Sequence, residues 1–135
     1  MTKTTHEVRH ITSSIERHVD EVYAFVAEPQ NLPKWATGLG DDFHKEGEDW
    51  IATGVLGRVR VRFCTKNGFG VVDHDVTLPS GEVTHNALRV VPNGAGSEVV
   101  FTVVRADDVD DAAFEADAAH VQKDLAALKA LLEKR

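Results

Sequence analysis

The chain has 135 residues, a formal net charge of −7, 42% hydrophobic and 27% charged residues, which describes an ordinary globular protein able to bury one substantial core. The acidic balance argues against nucleic acid or an anionic membrane surface as main partner, because both call for basic patches. No stretch approaches the roughly 20 apolar residues of a membrane span, Met1 to Glu7 lack the apolar core of a signal peptide, and the single Cys64 leaves no intramolecular disulfide and fits a reducing cytoplasm.

Residues 1–7 read as a flexible lead-in to one domain over 8–135. Val8 to Arg17 alternates β-branched residues and predicts a first strand. Asp20 to Ala27 predicts a short helix: Val19, Val22, Tyr23 and Phe25/Val26 fall at helical spacing, with acids in the first turn where the dipole favours them. Pro29 stops it. Asn31 is placed to cap a second short helix, with Pro33 in its first turn, Trp35 on one side and Gly38 at its end. From Asp41 the pattern becomes six strands, near 41–46, 50–56, 57–66, 69–78, 82–91 and 98–106. They are separated by the turns Gly47-Glu48-Asp49, Asn67-Gly68, Pro79-Ser80-Gly81 and Pro92 to Gly96. From about Asp110 the period changes again: Phe114, Ala118, Val121, Leu125, Leu128 and Leu132 mark one face of a long helix. Acids crowd its start and Lys129, Lys134 and Arg135 lie near its end, the order the dipole favours. The fold class is therefore α+β, an antiparallel meander of about seven strands covered by the only long helix.

Two turns set the strand phase. A two-residue Asn67-Gly68 turn predicts Arg62 opposite Asp73, Arg60 opposite Asp75, Val61 opposite His74, Phe63 opposite Val72 and Val59 opposite Val76. One face is then a ladder of opposite charges, and the other is apolar except for His74. A three-residue Pro79-Ser80-Gly81 loop pairs Leu78 with Glu82, His74 with Asn86, Val76 with Thr84 and Val72 with Leu88, leaving Asp75–His85 and Val71–Arg89 on the opposite face. A two-residue Ser80-Gly81 loop would instead bury Arg89 unpaired, which is costly.

His74 and Asn86 thus form an isolated polar pair lined by Val59, Val61, Phe63, Val72, Val76, Leu88 and Phe101. Either they orient a mostly apolar ligand, or they satisfy each other and a buried water. His74 is also a candidate catalytic base, though no inward carboxylate is identifiable to orient it. The arginine row Arg58, Arg60 and Arg62 reads as a solvent-facing ladder, or as an anion site if the faces were inverted. Cys64 falls on the charged face with no evident activating group. The favoured register puts His74 and His85 on opposite faces, so no metal site is expected. His120, between Asp117 and Asp124, reads as an ion partner on the helix surface. Trp35 and Trp50 are large apolar bodies with one N–H donor each.

The element order, the segment Ile11 to Arg17 (ITSSIER), the helix pair in Val19 to Trp35 (VDEVYAFVAEPQNLPKW), and the stretches Phe69 to Pro79 (FGVVDHDVTLP) and Arg89 to Gly94 (RVVPNG) resemble the START-like or SRPBCC superfamily. That group includes polyketide cyclases and aromatases, lipid-transfer domains and plant proteins of the Bet v 1 type. The resemblance covers about Val8 to Leu132. It implies a helix-grip fold: a curved antiparallel sheet wrapped around a long C-terminal helix, with a cavity between them and Trp35 near its mouth. It implies no particular reaction, since such folds host binders and enzymes alike.

Together these readings predict a cytoplasmic protein, monomer or homodimer, without cofactor. It would bind a small hydrophobic or amphipathic molecule, lipid- or polyketide-like. His74 and Asn86 supply the polar contacts, and the apolar wall comes from Trp35, Phe63, Val72, Leu88, Phe101, Phe114, Val121 and Leu125. The alternatives are a cyclase or aromatase using His74 for proton transfer, and an interaction protein with a filled interior. A binder calls for a cavity of about 300 Å3 or more.

Overall fold

A computed structural model describes residues 4–39, 42–55 and 57–134 of the chain. The start of the expected lead-in, the first residue of the expected second strand, Leu56 and Arg135 lie outside the described residues. The elements run β1 (Val8–Ile15), α1 (Val19–Val26), a 3-10 helix (Pro29–Lys34), β2 (His44–Glu46), β3 (Asp49–Gly54), β4 (Gly57–Phe63), β5 (His74–Thr77), β6 (Val83–Asn93), β7 (Gly96–Val104) and α2 (Asp111–Glu133). The strands form one antiparallel seven-stranded sheet in the order β1-β7-β6-β5-β4-β3-β2. This is the expected α+β, helix-grip arrangement.

The helix ends show how local chemistry sets the boundaries. His18 caps α1, its Nδ1 accepting from the Asp20 N–H at 3.2 Å. Pro29 opens the 3-10 helix rather than merely ending α1, and Asn31 is inside that helix, not its cap. Asn31 donates to the Phe25 carbonyl at 3.0 Å instead, tying the two short helices together. Asp110 caps α2 by accepting from the Ala113 N–H at 2.8 Å. At the other end the compensating cation comes from elsewhere in the chain: Arg17 Nε donates to the Leu132 carbonyl at 3.0 Å.

The β5–β6 register is the predicted one. His74 faces Asn86, Asp75 faces His85, Val76 faces Thr84 and Val71 bridges Arg89. Leu78 N–H donates to the Glu82 carbonyl at 2.9 Å, and Gly81 at φ 92° supplies the left-handed turn residue. The β4–β5 register differs from expectation by two residues. Phe63 lies opposite His74, Arg62 opposite Asp75, Val61 opposite Val76 and Arg60 opposite Thr77. Asn67 is the reason. Its side chain accepts from the N–H groups of Phe69 (2.9 Å) and Val71 (3.2 Å) and donates to the carbonyls of Thr65 (3.1 Å) and Val71 (2.9 Å). Its own N–H donates to the Tyr23 hydroxyl at 2.8 Å. One amide thus holds a wide loop in place of a two-residue turn. Because side chains alternate with period two, a two-residue offset keeps every side chain on its predicted face.

The offset does change the ion pairs on the outer face. Arg60 and Arg62 both pair with Asp49 on β3, and Arg58 pairs with Glu46 on β2. Asp73 pairs with Arg89, and Asp75, although it stands opposite Arg62, bonds to His85. Inside, α2 presents Phe114, Ala118, Leu125, Leu128 and Leu132, all buried, chiefly against β1 and β7. Helix α1 buries Val22 and Val26 against β6 and β7.

Candidate functional site

His74 opens β5 on the inner face of the sheet and is 6% exposed. Its Nδ1 lies 3.0 Å from the Val72 carbonyl oxygen. A carbonyl only accepts, so Nδ1 carries the hydrogen and Nε2 presents a lone pair. Asn86 Nδ2, 3.4 Å from Nε2, donates to it. The imidazole is flanked by Phe63 (ring centroids 5.0 Å apart) and Phe101 (6.4 Å, edge-on). Burial pushes its pKa below the ordinary imidazole value, the Val72 carbonyl and the charges of Asp73 and Asp75 offsetting only part of that loss, so the ring is neutral at neutral pH. Among the described residues no carboxylate bonds to it, because Asp73 and Asp75 lie on the outer face with Arg89 and His85.

The other predicted wall residues distribute around this pair in two tiers. Val72, Leu88 and Leu125 are buried, while Phe63, Phe101 and Val121 are half-buried. Phe114 sits near the start of α2 with the guanidinium groups of Arg9 (5.1 Å) and Arg105 (5.7 Å) over its ring, a packing environment. Trp35 is buried in the core, and its indole Nε1 has no hydrogen-bond partner among the described residues.

An apolar pocket of about 110 Å3 opens beside this group, lined by Thr37, Gly38, Leu39, Gly54, Gly57, Val59 and Val76. Val59 and Val76, expected in the lining around His74, border this pocket, whereas none of the ten residues expected to contact the ligand does. Its rim depends on glycine. Gly38 and Gly57 both adopt φ 88°, and Gly54 lies against the carbonyls of Gly38 and Leu39 with no room for a Cβ. Helix α2 fixes the Thr37 segment: Asp124 Oδ1 accepts from Thr37 N–H (3.1 Å) and Oγ1 (2.7 Å), and His120 Nε2 lies 3.0 Å from the Thr37 carbonyl. His120 also approaches Asp124 at 3.4 Å, the ion pairing expected of it. Sequence reasoning did not place this segment at a site; the signal available was the recurrence of Gly38, Gly54 and Gly57.

A second hollow of about 160 Å3 lies where Ile51, Arg58, Arg60, Thr77 and Leu78 meet. Neither space reaches the roughly 300 Å3 expected of an enclosed ligand cavity. The inner face is open in another way. Leu39, Phe43, Trp50, Phe63, Val76, Phe101 and Val121 pack against the core yet remain partly exposed, with Phe43 stacked on Trp50 at 5.1 Å.

Among the described residues no three His, Cys, Asp or Glu side chains converge as metal ligands. His6 and His10, four apart in the sequence, do not converge: His6 approaches Asp107 and His10 meets Thr102 across the sheet. Cys64 is exposed, its thiol directed at the Val71 carbonyl. No helix among the described residues is long and apolar enough to cross a membrane.

No protein-family model matches the chain, and no curated protein matches it in sequence. Solved structures do match in shape. MLL2253 from Mesorhizobium loti aligns with a TM-score of 0.72 at 10% identity, over 95% of this chain and 98% of that one. Ara h 8.0201 aligns at 0.70 and 12% identity, over 96% and 99%. DynU16, from the dynemicin biosynthetic locus, aligns at 0.71 and 12% identity over 93% of this chain, which spans 47% of that protein. With the curved seven-stranded sheet, the paired short helices and the closing helix, this likeness shows that the chain shares the helix-grip fold of these structures.

Proposed function

We propose that the chain binds a small hydrophobic or amphipathic molecule, lipid- or polyketide-like, along the inner face of the sheet beside α2. The observation that carries this reading is the set of half-buried apolar residues there, including Trp50, Phe63, Val76, Phe101 and Val121, next to an apolar pocket. Apolar surface on the inside of a sheet gains by being covered. The volume of about 110 Å3 holds only part of a drug-sized molecule, so the ligand anchors in the pocket and continues along the open face.

The small volume equally favours an interaction protein with a filled interior, and one experiment separates the two. Native mass spectrometry of freshly purified protein should show a co-purified small molecule, and Val76→Trp, which fills the pocket, should lose it while the circular dichroism spectrum is kept. Bare protein that also fails to take up an added hydrophobic probe would establish the filled interior. A cyclase-type reaction draws no support from the geometry around His74, where both ring nitrogens are engaged and no carboxylate among the described residues bonds to the ring.

A further inference from the structure

The hydrogen-bonding sense of the His74–Asn86 pair says which ligand chemistry suits it. The Val72 carbonyl at 3.0 Å fixes the hydrogen on His74 Nδ1, leaving Nε2 as an acceptor. That in turn fixes Asn86: its Nδ2 faces Nε2 at 3.4 Å, because turning the amide over would set two acceptors against each other. Asn86 Oδ1 then points away from the imidazole, with no partner among the described residues, and it is not among their buried unpartnered polar atoms, so it reaches open space. The pair therefore offers the inner face a free amide oxygen and one long, replaceable bond to a second acceptor.

Among the described residues the inner-face neighbours of His74 carry no charge; Asp73 and Asp75 act on the ring from the outer face. The inner-face neighbours of His74 are Phe63, Val76, Asn86, Leu88 and Phe101. Arg9, which also lies on the inner side near α2, has both terminal nitrogens committed to Glu115 at 2.7 Å. An anionic head group placed beside the imidazole would give up hydration and meet acceptors without a counter-ion, which is unfavourable. A group that donates an O–H finds an acceptor without that penalty.

Resting on the binding reading above, we infer that the polar end of the ligand is a neutral hydroxyl, an alcohol or phenol, donating its single hydrogen to Asn86 Oδ1 while Asn86 Nδ2 stays on His74 Nε2, and that carboxylates are discriminated against. The test uses the intact protein at neutral pH and titrates 2-naphthol, 2-naphthoate and naphthalene by tryptophan fluorescence or calorimetry. The expected order is 2-naphthol tighter than naphthalene by about tenfold, the size of a good neutral hydrogen bond, with 2-naphthoate weakest. In Asn86→Leu the naphthol advantage should disappear while naphthalene binding stays. Naphthoate binding as tightly as naphthol, or a naphthol advantage that survives in Asn86→Leu, overturns the hydroxyl inference and leaves the binding reading standing. Failure of all three probes to bind overturns both.

Discussion

His74 is a base that the fold keeps unprotonated, and that has a calculable effect on stability. Its native pKa lies below the unfolded value of 6.5 because burial penalises the cation. As pH falls through about 6.5 the unfolded chain takes up a proton there and the native state does not, so stability drops, and the loss levels off below the native pKa. His44 works in the opposite sense, its pKa raised chiefly by its bond to Glu46, so its contribution is present at acid pH and lost as pH rises. The informative quantity is therefore the difference between wild type and His74→Phe: between about pH 7.5 and 5.5 the wild-type urea midpoint should fall more than the variant's. Equal slopes would refute neutral burial of the ring. Gly70 gives a second test at this scale. It adopts φ 74°, its carbonyl accepts from Val90 N–H at 2.9 Å, and a Cβ there would run into the Val90 carbonyl. Gly70→Ala should cost at least the ~1–2 kcal/mol of a left-handed non-glycine residue, read from the shift in denaturant midpoint. Single residues were legible where a short loop fixed them, as with Asn86 opposite His74. They were not where the partner was a backbone group, as with Val72, or lay within a presumed turn, as with Asp49. That carboxylate is held below its usual range by Arg62 and then Arg60, although the sequence places it in a separator between strands.

Helix α2 is the element whose role followed most directly from residue spacing, since Phe114, Ala118, Leu125, Leu128 and Leu132 are all buried as the steps of three and four require. Leu128→Ala should destabilise by about 2–5 kcal/mol, the usual range for a fully buried leucine, in a denaturant titration. Asp124 breaks the apolar face and was not anticipated as a clasp, because its partner Thr37 is remote in sequence and only the folded loop brings them together. Asp124→Ala leaves the Thr37 amide without its acceptor and should cost about 1–3 kcal/mol. Amide hydrogen exchange should show the loss of protection concentrated at 37–39, the pocket rim, rather than along α2. Uniform loss along the helix would mean that Asp124 supports the helix and not the loop. The β4–β5 connection shows the limit of turn rules: Asn-Gly is a strong hairpin signal, yet the side chain of Asn67 makes four backbone hydrogen bonds that a two-residue turn would forgo.

At the scale of the whole molecule, the order of elements and the alternation of faces sufficed to anticipate the sheet and its cover. Free volume was not legible. How far α2 lies from β3, β4 and β5 depends on side-chain packing at every layer, and a sequence records composition at those layers but not the gap between them. The two connections flanking β5 also carry different duties. The stretch between β4 and β5 is broad and stapled internally, so it can absorb length changes without disturbing the strands it joins. The stretch at Pro79-Ser80-Gly81 is tight, and it sets the phase in which β6 leaves β5. Deleting one residue there would rotate β6 by half a pleat, exchanging Asn86 and Leu88 for His85 and Arg89 beneath the helix. A lining that is neutral in the native chain would become cationic through an indel that touches no lining residue at all.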